Sequence, residues 1–139
     1  MAEVLFYHLT ESTLEEALPP LLEKSVERGW RVVVQAGSDE RRDALDAHLW
    51  TFRDDSFLGH ALDSDPLATE QPILLTTTDS NGNSATVRFV VDGASPPPLE
   101  SYERGVFMFD GHDQSQLDSS RDCWKQMKAA GHSVTYWQQ

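Results

Sequence analysis

The sequence has little of what several large classes of protein require. It contains a single cysteine, Cys123, so no disulfide can form within the chain, which suits a reducing cytosol. No stretch approaches the roughly 18 apolar residues of a membrane span. The N-terminus, Met-Ala-Glu-Val-Leu, also lacks the positive charge and the long apolar segment of a signal peptide. We therefore expect a cytoplasmic protein that does not bind a membrane.

Positive charge is also scarce. The chain has 11 Lys and Arg against 23 Asp and Glu, and its net charge is −12. Direct binding of DNA or RNA relies on a broad basic face that neutralises phosphates, and so few cations cannot build one. We therefore expect no direct contact with nucleic acid.

Catalytic and cofactor motifs are missing as well. The sequence contains neither the Gly-x-Gly-x-x-Gly nor the Gly-x-x-x-x-Gly-Lys-Ser/Thr phosphate loop, and no Gly-x-Ser-x-Gly elbow. The five histidines are scattered, without helical pairs or a Cys–His cluster that would indicate a metal site. Cys123 falls on the core side of a predicted helix, which favours packing over nucleophilic chemistry. The residues predict a protein without a cofactor, a metal or an active site of its own.

Apolar runs and helix-period segments alternate along the chain. A length of 139 residues with 39% hydrophobic content predicts one domain over 1–139. The predicted strands cover 3–9, 31–35, 73–75, 87–91, 105–109 and 133–137, and the predicted helices cover 12–28, 39–50 and 113–130. This order predicts a single-domain α/β fold with a mostly parallel sheet and helices on both faces. The turn residues at 79–83 allow an antiparallel hairpin over 73–91, Pro19 and Pro20 should bend or delay the first helix, and the acidic stretch 51–71 shows no period.

The last predicted helix carries an unusual concentration of positive charge. The final seventeen residues, 123–139, contain no Asp or Glu, whereas Arg121, Lys125 and Lys128 lie close together around Trp124. At 100° per residue, the core side consists of Gln116, Cys123, Met127 and Ala130, and Trp124 lies at its border. Cations beside an indole suit an acidic peptide that ends in a hydrophobic residue. A solvated helix face, whose cations favour the helix C-terminus, explains the same pattern, so the residues alone leave both interpretations open.

Two large aromatic residues, Trp50 and Phe57, flank the end of the second predicted helix. If both rings are exposed, they form a patch that monomers rarely tolerate without a partner. If Trp50 is buried, it is a core residue, and the pattern alone favours this interpretation.

Several sequence landmarks occur in an order and spacing that resemble one known family. They are Val4-Leu5-Phe6-Tyr7-His8-Leu9, Leu45-Asp46-x-x-Leu49-Trp50, Asp55-Ser56-Phe57-x-x-His60, Arg121-x-x-Trp124-Lys125-x-x-Lys128-Ala129-Ala130-Gly131-His132, and the ending Val134-Thr135-Tyr136-Trp137-Gln138-Gln139. Together they resemble the chi subunit of the bacterial DNA polymerase III holoenzyme, over nearly the whole chain.

The resemblance implies a Rossmann-like α/β fold without a bound nucleotide, and an accessory subunit without catalytic activity. It implies that the subunit links the clamp loader to single-stranded DNA-binding protein, whose acidic C-terminal tail ends in a hydrophobic residue. Carried over by position, Arg121, Trp124, Lys125 and Lys128 match the tail-binding pattern. Trp50 and Phe57 match the contacts to the psi subunit, or to an equivalent partner. Leu117 is apolar where some members have a cation, which implies a weaker grip on the tail.

A competing hypothesis is a small cytosolic nucleotide-binding regulator or enzyme of the doubly wound type. Its site would lie at the carboxyl ends of the strands, near 35–39 and 110–113. These segments contain several acidic residues and no nearby cation, so they are poorly suited to binding a phosphate.

Overall fold

The computed structural model describes residues 2–51, 60–62, 65–66, 68–79 and 81–138. In this part of the chain the strands are β1 (Glu3–Leu9), β2 (Val32–Gln35), β3 (His60–Leu62), β4 (Ile73–Thr76), β5 (Val87–Val91), β6 (Arg104–Asp110) and β7 (Ser133–Gln138). The helices are α1 (Leu14–Glu27), α2 (Asp39–Thr51) and α3 (Gln114–Ala129), with a short 3-10 turn at Ala68–Glu70.

The described strands form one sheet in the order β3-β4-β2-β5-β6-β1-β7, and every pairing in it is parallel. Strands β2, β4 and β5 are buried along their whole length, as expected of parallel strands covered on both faces. The predicted α/β fold class is confirmed.

The two faces of the sheet have separate apolar cores. Helices α1 and α2 cover the face that carries Val34, Leu75 and Phe89. Helix α3 covers the opposite face, through Cys123 and Met127. Because α3 runs directly into the edge strand β7, the basic helix and one open edge of the sheet lie side by side.

The antiparallel hairpin expected over 73–91 is wrong. Strands β4 and β5 both pair with β2 in parallel, so the chain between them must return across the sheet. The side-chain amide of Asn83 stabilises this connection between β4 and β5, because its Nδ2 donates to the carbonyl oxygens of Val32 and Gln71 at 3.1 Å each. The turn residues therefore close a crossover connection, a role that local sequence cannot distinguish from a hairpin.

Strand β3 is an element that the sequence pattern missed. His60–Leu62 lies within the acidic stretch for which no period was found, and pairs with β4. The ring of His60 is buried and lies 3.1 Å from the Asp46 carboxylate on α2. A strand of three residues is too short to show a period of two.

Helix α1 begins one residue later than the sequence indicated. The N-cap is Thr13 and not Ser12, because the Thr13 hydroxyl accepts from the Glu16 N–H at 3.3 Å. The Glu16 carboxylate in turn accepts from the Thr13 N–H at 3.2 Å, which completes a capping box.

The two prolines lie inside α1 and do not delay its start. Pro19 has no N–H, so the carbonyl of Glu15 lacks its usual helical donor. His48 of α2 supplies a replacement, since its Nε2 lies 2.7 Å from that carbonyl oxygen. The proline therefore leaves the Glu15 carbonyl oxygen without a donor inside α1, and the hydrogen bond from His48 to this oxygen joins α1 and α2.

No helix in the described residues is both long enough and apolar enough to cross a membrane.

Candidate functional site

Helix α3 is held at its start by a side-chain cap and along its length by an apolar seam. The Asp113 carboxylate accepts from the N–H groups of Ser115 and Gln116 at 2.9 and 3.2 Å. Cys123 and Met127, one turn apart, are buried against the sheet. Burial, followed by the negative charge of Asp122, raises the pKa of the Cys123 thiol, which favours the packing role expected for this residue. Ala130, predicted on the same side, is exposed because it caps the end of the helix.

An open pocket of about 370 Å³ lies beside α3, where the helix meets the ends of β1 and β6 and the edge strand β7. We call it the α3 pocket, and its lining consists of His8, Phe109, Leu117, Ser120, Arg121, Trp124, Lys125 and Tyr136. The rings and the leucine make its interior mostly apolar, whereas the two cations belong to the helix. Such a mixture suits a ligand with one apolar and one anionic end.

Trp124 lies at the border of the core, as the helical spacing predicted. Its half-buried indole packs edge-on against Phe6, with ring centroids 5.4 Å apart, and against Tyr136 at 6.3 Å. On its other side, Lys128 Nζ lies 5.1 Å from the ring centroid, a cation–π arrangement. Lys128 therefore orients the wall of the pocket from outside and is not part of its lining.

Two of the predicted cations, Arg121 and Lys125, lie at the mouth of the α3 pocket. The Arg121 side chain is 72% exposed, and its guanidinium lies 3.8 Å from the Asp118 carboxylate. A contact that long and that exposed contributes little. Lys125 forms no ion pair with any residue in the described part of the chain. Both positive heads are therefore available to an anionic ligand.

His8 and Tyr136 were missed as site residues. The His8 ring stacks on Phe109 at 5.0 Å and is hydrogen-bonded through Nδ1 to the Tyr136 hydroxyl. Gly111 lies against the same imidazole, so closely that any side chain there would displace it. These residues come together only because β1 pairs with both β6 and β7. The sole sequence signal for His8 and Tyr136 was that each lies in one of the landmarks described above.

The comparisons with known proteins identify the family. The family described as "DNA polymerase III chi subunit, HolC" matches residues 1–135. The chain belongs to this family. Its members are described as chi subunits of DNA polymerase III. One curated relative is the "Probable DNA polymerase III subunit chi" of Rickettsia prowazekii (strain Madrid E), 26% identical over 91 residues. That match covers 66% of this chain and 55% of the relative, so the chain spans about half the length of the curated relative it matches.

The predicted partner patch lies outside the described residues. Phe57 falls within 52–59, and the side chain of Trp50 is likewise not described. The choice between a core role and an exposed role for Trp50 stays a prediction.

A second, larger cleft of about 560 Å³ opens at the carboxyl ends of β1 and β6, where a doubly wound protein would bind a nucleotide. One cation, Arg41, does lie in this cleft, contrary to the expectation that none is near. Its guanidinium is already held by Glu15 at 2.5 Å and by Asp92 at 3.0 Å.

The carboxylates of this cleft do not favour a further anion. Burial raises the pKa of Asp92 above its ordinary value, although hydrogen bonding and charge from Arg41 act in the opposite direction. Burial acts in the same way on Glu15, but hydrogen bonds and the charge of Arg41 outweigh it and leave the pKa of Glu15 lowered. Glu11 and Asp110 add two more acids to the lining. A nucleotide phosphate would meet mostly negative charge here, which disfavours the competing hypothesis of a nucleotide-binding protein.

Proposed function

We propose that this chi subunit is an adaptor that binds the acidic C-terminal tail of single-stranded DNA-binding protein in the α3 pocket, and thereby links that protein to the clamp loader. The observation that carries the proposal is an apolar pocket with two available cations at its mouth, on a chain whose net charge is −12. Phe109, Leu117 and Trp124 provide apolar surface for the hydrophobic final residue of the tail.

The charges of the tail meet Arg121 and Lys125. Hydrogen bonds that involve charged groups typically contribute about 1.5–3 kcal/mol each. Exposed cations fall at the lower end because water and salt screen them. The complex should therefore be weak and salt-sensitive. The surrounding negative charge favours a short peptide over an extended polyanion, because a longer ligand would leave the local region of positive potential.

The test is capture of purified single-stranded DNA-binding protein by the immobilised chain. We expect intact protein to be retained at low salt and lost progressively as salt is raised. The same protein without its final residues should not be retained at any salt concentration. Equal retention of the two forms would refute the tail as the ligand.

The resemblance also assigns Trp50 and Phe57 to a second partner, the psi subunit or an equivalent. We expect psi to copurify with the chain and to be lost from a Phe57→Ala variant that unfolds at the same temperature as the parent. Undiminished capture of psi by this variant would refute the assignment of Phe57.

A further inference from the structure

A second group of cations lies on the face of the sheet opposite α3. A groove of about 220 Å³ is lined there by Lys24 in the last turn of α1, by Arg28 directly after that helix, and by Arg104 at the start of β6. We call it the α1 groove. Other arginines of the chain are engaged elsewhere: Arg41 and Arg42 pair with carboxylates, and Arg88 is fully buried. Three cations around one groove are a large share of the 11 in the whole sequence.

An indole forms one end of the α1 groove. The guanidinium carbons of Arg28 and Arg104 lie 5.0 and 4.8 Å from the centroid of the Trp30 ring. Two guanidinium groups are thereby held beside one aromatic ring in a cation–π arrangement. The ring restricts where the two charged heads can lie, so the entropy lost on binding an anion is smaller than for free surface arginines.

The sheet contributes apolar residues to the floor of the groove. Leu5 and Tyr7 are only partly covered by α1, and Val106 beside them is buried. At its outer side the Tyr7 ring packs edge-on against Trp137 of β7, with centroids 5.1 Å apart. Trp137 is 51% exposed, one of two large apolar side chains that are exposed in the described chain. The apolar floor therefore continues into an exposed indole at the edge of the sheet.

The cations of the groove are only partly neutralised by the protein itself. Lys24 and Arg28 form no ion pair with a residue in the described ranges, although Glu23 and Glu27 lie on the same helix. Arg104 pairs with Glu3 at 3.1 Å, and the side chain of Glu3 is 48% exposed. An exposed pair of this kind exchanges readily for another carboxylate.

We propose that the α1 groove is a docking site for a short acidic segment of a partner protein, with one apolar side chain on the groove floor. The segment's carboxylates would meet Lys24, Arg28 and Arg104, and its apolar side chain would lie between Trp30 and Tyr7. A volume of about 220 Å³ admits one large side chain and not a run of stacked bases. The net charge of −12 also repels an extended polyanion beyond the groove.

This site is separate from the α3 pocket, and both can be occupied together. Successive residues of a strand point to opposite faces of the sheet. Accordingly Tyr136 lines the α3 pocket, whereas the next residue, Trp137, packs beside Tyr7 on the α1 side. The edge strand β7 thus contributes one aromatic ring to each site, and the inference does not depend on the proposed function of α3.

The indole N–H signals in a ¹H–¹⁵N NMR titration provide the test. The chain has four tryptophans, and a Trp30→Phe variant assigns the signal of interest. The probe is the synthetic peptide Asp-Asp-Leu-Asp-Asp, and the control peptide is Asn-Asn-Leu-Asn-Asn. We expect the acidic peptide to shift the Trp30 signal saturably. A double variant, Lys24→Gln with Arg28→Gln, should weaken this response at least ten-fold.

A matched variant separates the two sites. Arg121→Ala with Lys125→Ala removes the same charge from the α3 pocket and should leave the Trp30 response unchanged. The proposal is overturned if the Trp30 signal does not saturate, or if the Asn peptide shifts it equally. It is also overturned if an oligothymidylate shifts this signal at lower concentration than the acidic peptide, because the groove would then be a nucleic-acid site.

Discussion

Replacing both Arg121 and Lys125 with alanine is expected to weaken binding of the tail of single-stranded DNA-binding protein by about 100-fold, at about 1.4 kcal/mol and ten-fold for each cation. Both side chains lie at the mouth of the α3 pocket. Among the described residues their one ion pair is that of Arg121 with Asp118, which is long at 3.8 Å. The stability of the fold should not change, because alanine is favourable at exposed helical positions. Fluorescence anisotropy with a labelled tail peptide at about 0.1 M salt measures the affinity.

The matched control is Arg42→Ala, which removes one positive charge from α2, on the other face of the sheet. This variant should bind the tail almost as tightly as the parent, because long-range charge is screened over about 10 Å at 0.1 M salt. If Arg42→Ala and the double variant of Arg121 and Lys125 lose affinity equally, net charge and not the pocket determines binding. If the double variant binds the tail as the parent does, the pocket is not the site.

Replacing Phe6 with alanine is expected to lower the free energy of unfolding by about 3–5 kcal/mol, the range typical of Phe→Ala in a core. Phe6 is 1% exposed and stacks on Phe107 with ring centroids 4.6 Å apart. Its other neighbour is Trp124, at 5.4 Å. The cavity would therefore open beneath the wall of the α3 pocket, and tail binding should fall although every cation is retained. Urea denaturation and the same anisotropy assay measure the two effects.

A conservative variant distinguishes the cavity from a general loss of folding. Phe6→Leu fills most of the space and should cost less than about 1.5 kcal/mol. The slope of the unfolding free energy against urea should be the same for both variants, because that slope follows the surface exposed on unfolding. Equal costs for leucine and alanine would show that the aromatic stack, and not the filled volume, stabilises this core.

Features that depend on local pattern were predictable. The run Val32-Val33-Val34 indicated a buried strand, and β2 is buried throughout. The spacing of Cys123 and Met127 indicated the buried side of α3, and the seam of that helix lies there. The placement of Trp124 at the border follows from the same 3.6-residue period. The same period predicted that Arg121, Lys125 and Lys128 lie close together on the helix.

Features that depend on pairing between distant segments were not predictable. Whether the turn at 79–83 closes a hairpin or a crossover is decided by which strand lies beside β4, and β2 takes that place. Strand β3 forms by pairing with β4, whose other side pairs with β2. The choice of Thr13 over Ser12 as the N-cap depends on which hydroxyl faces the Glu16 N–H, since both residues are suitable caps.

The α/β class, the buried seam of α3 and the positive charge beside it follow from the order of the amino acids, because helical and strand periods involve residues that are close in sequence. That this charge borders a pocket depends on the folded arrangement of distant segments. The pairing of β1 with β6 and β7 brings His8 to Phe109, Trp124 and Tyr136 across more than a hundred residues of chain. Contacts of that range arise from the order of strands in the sheet, for which no local pattern exists.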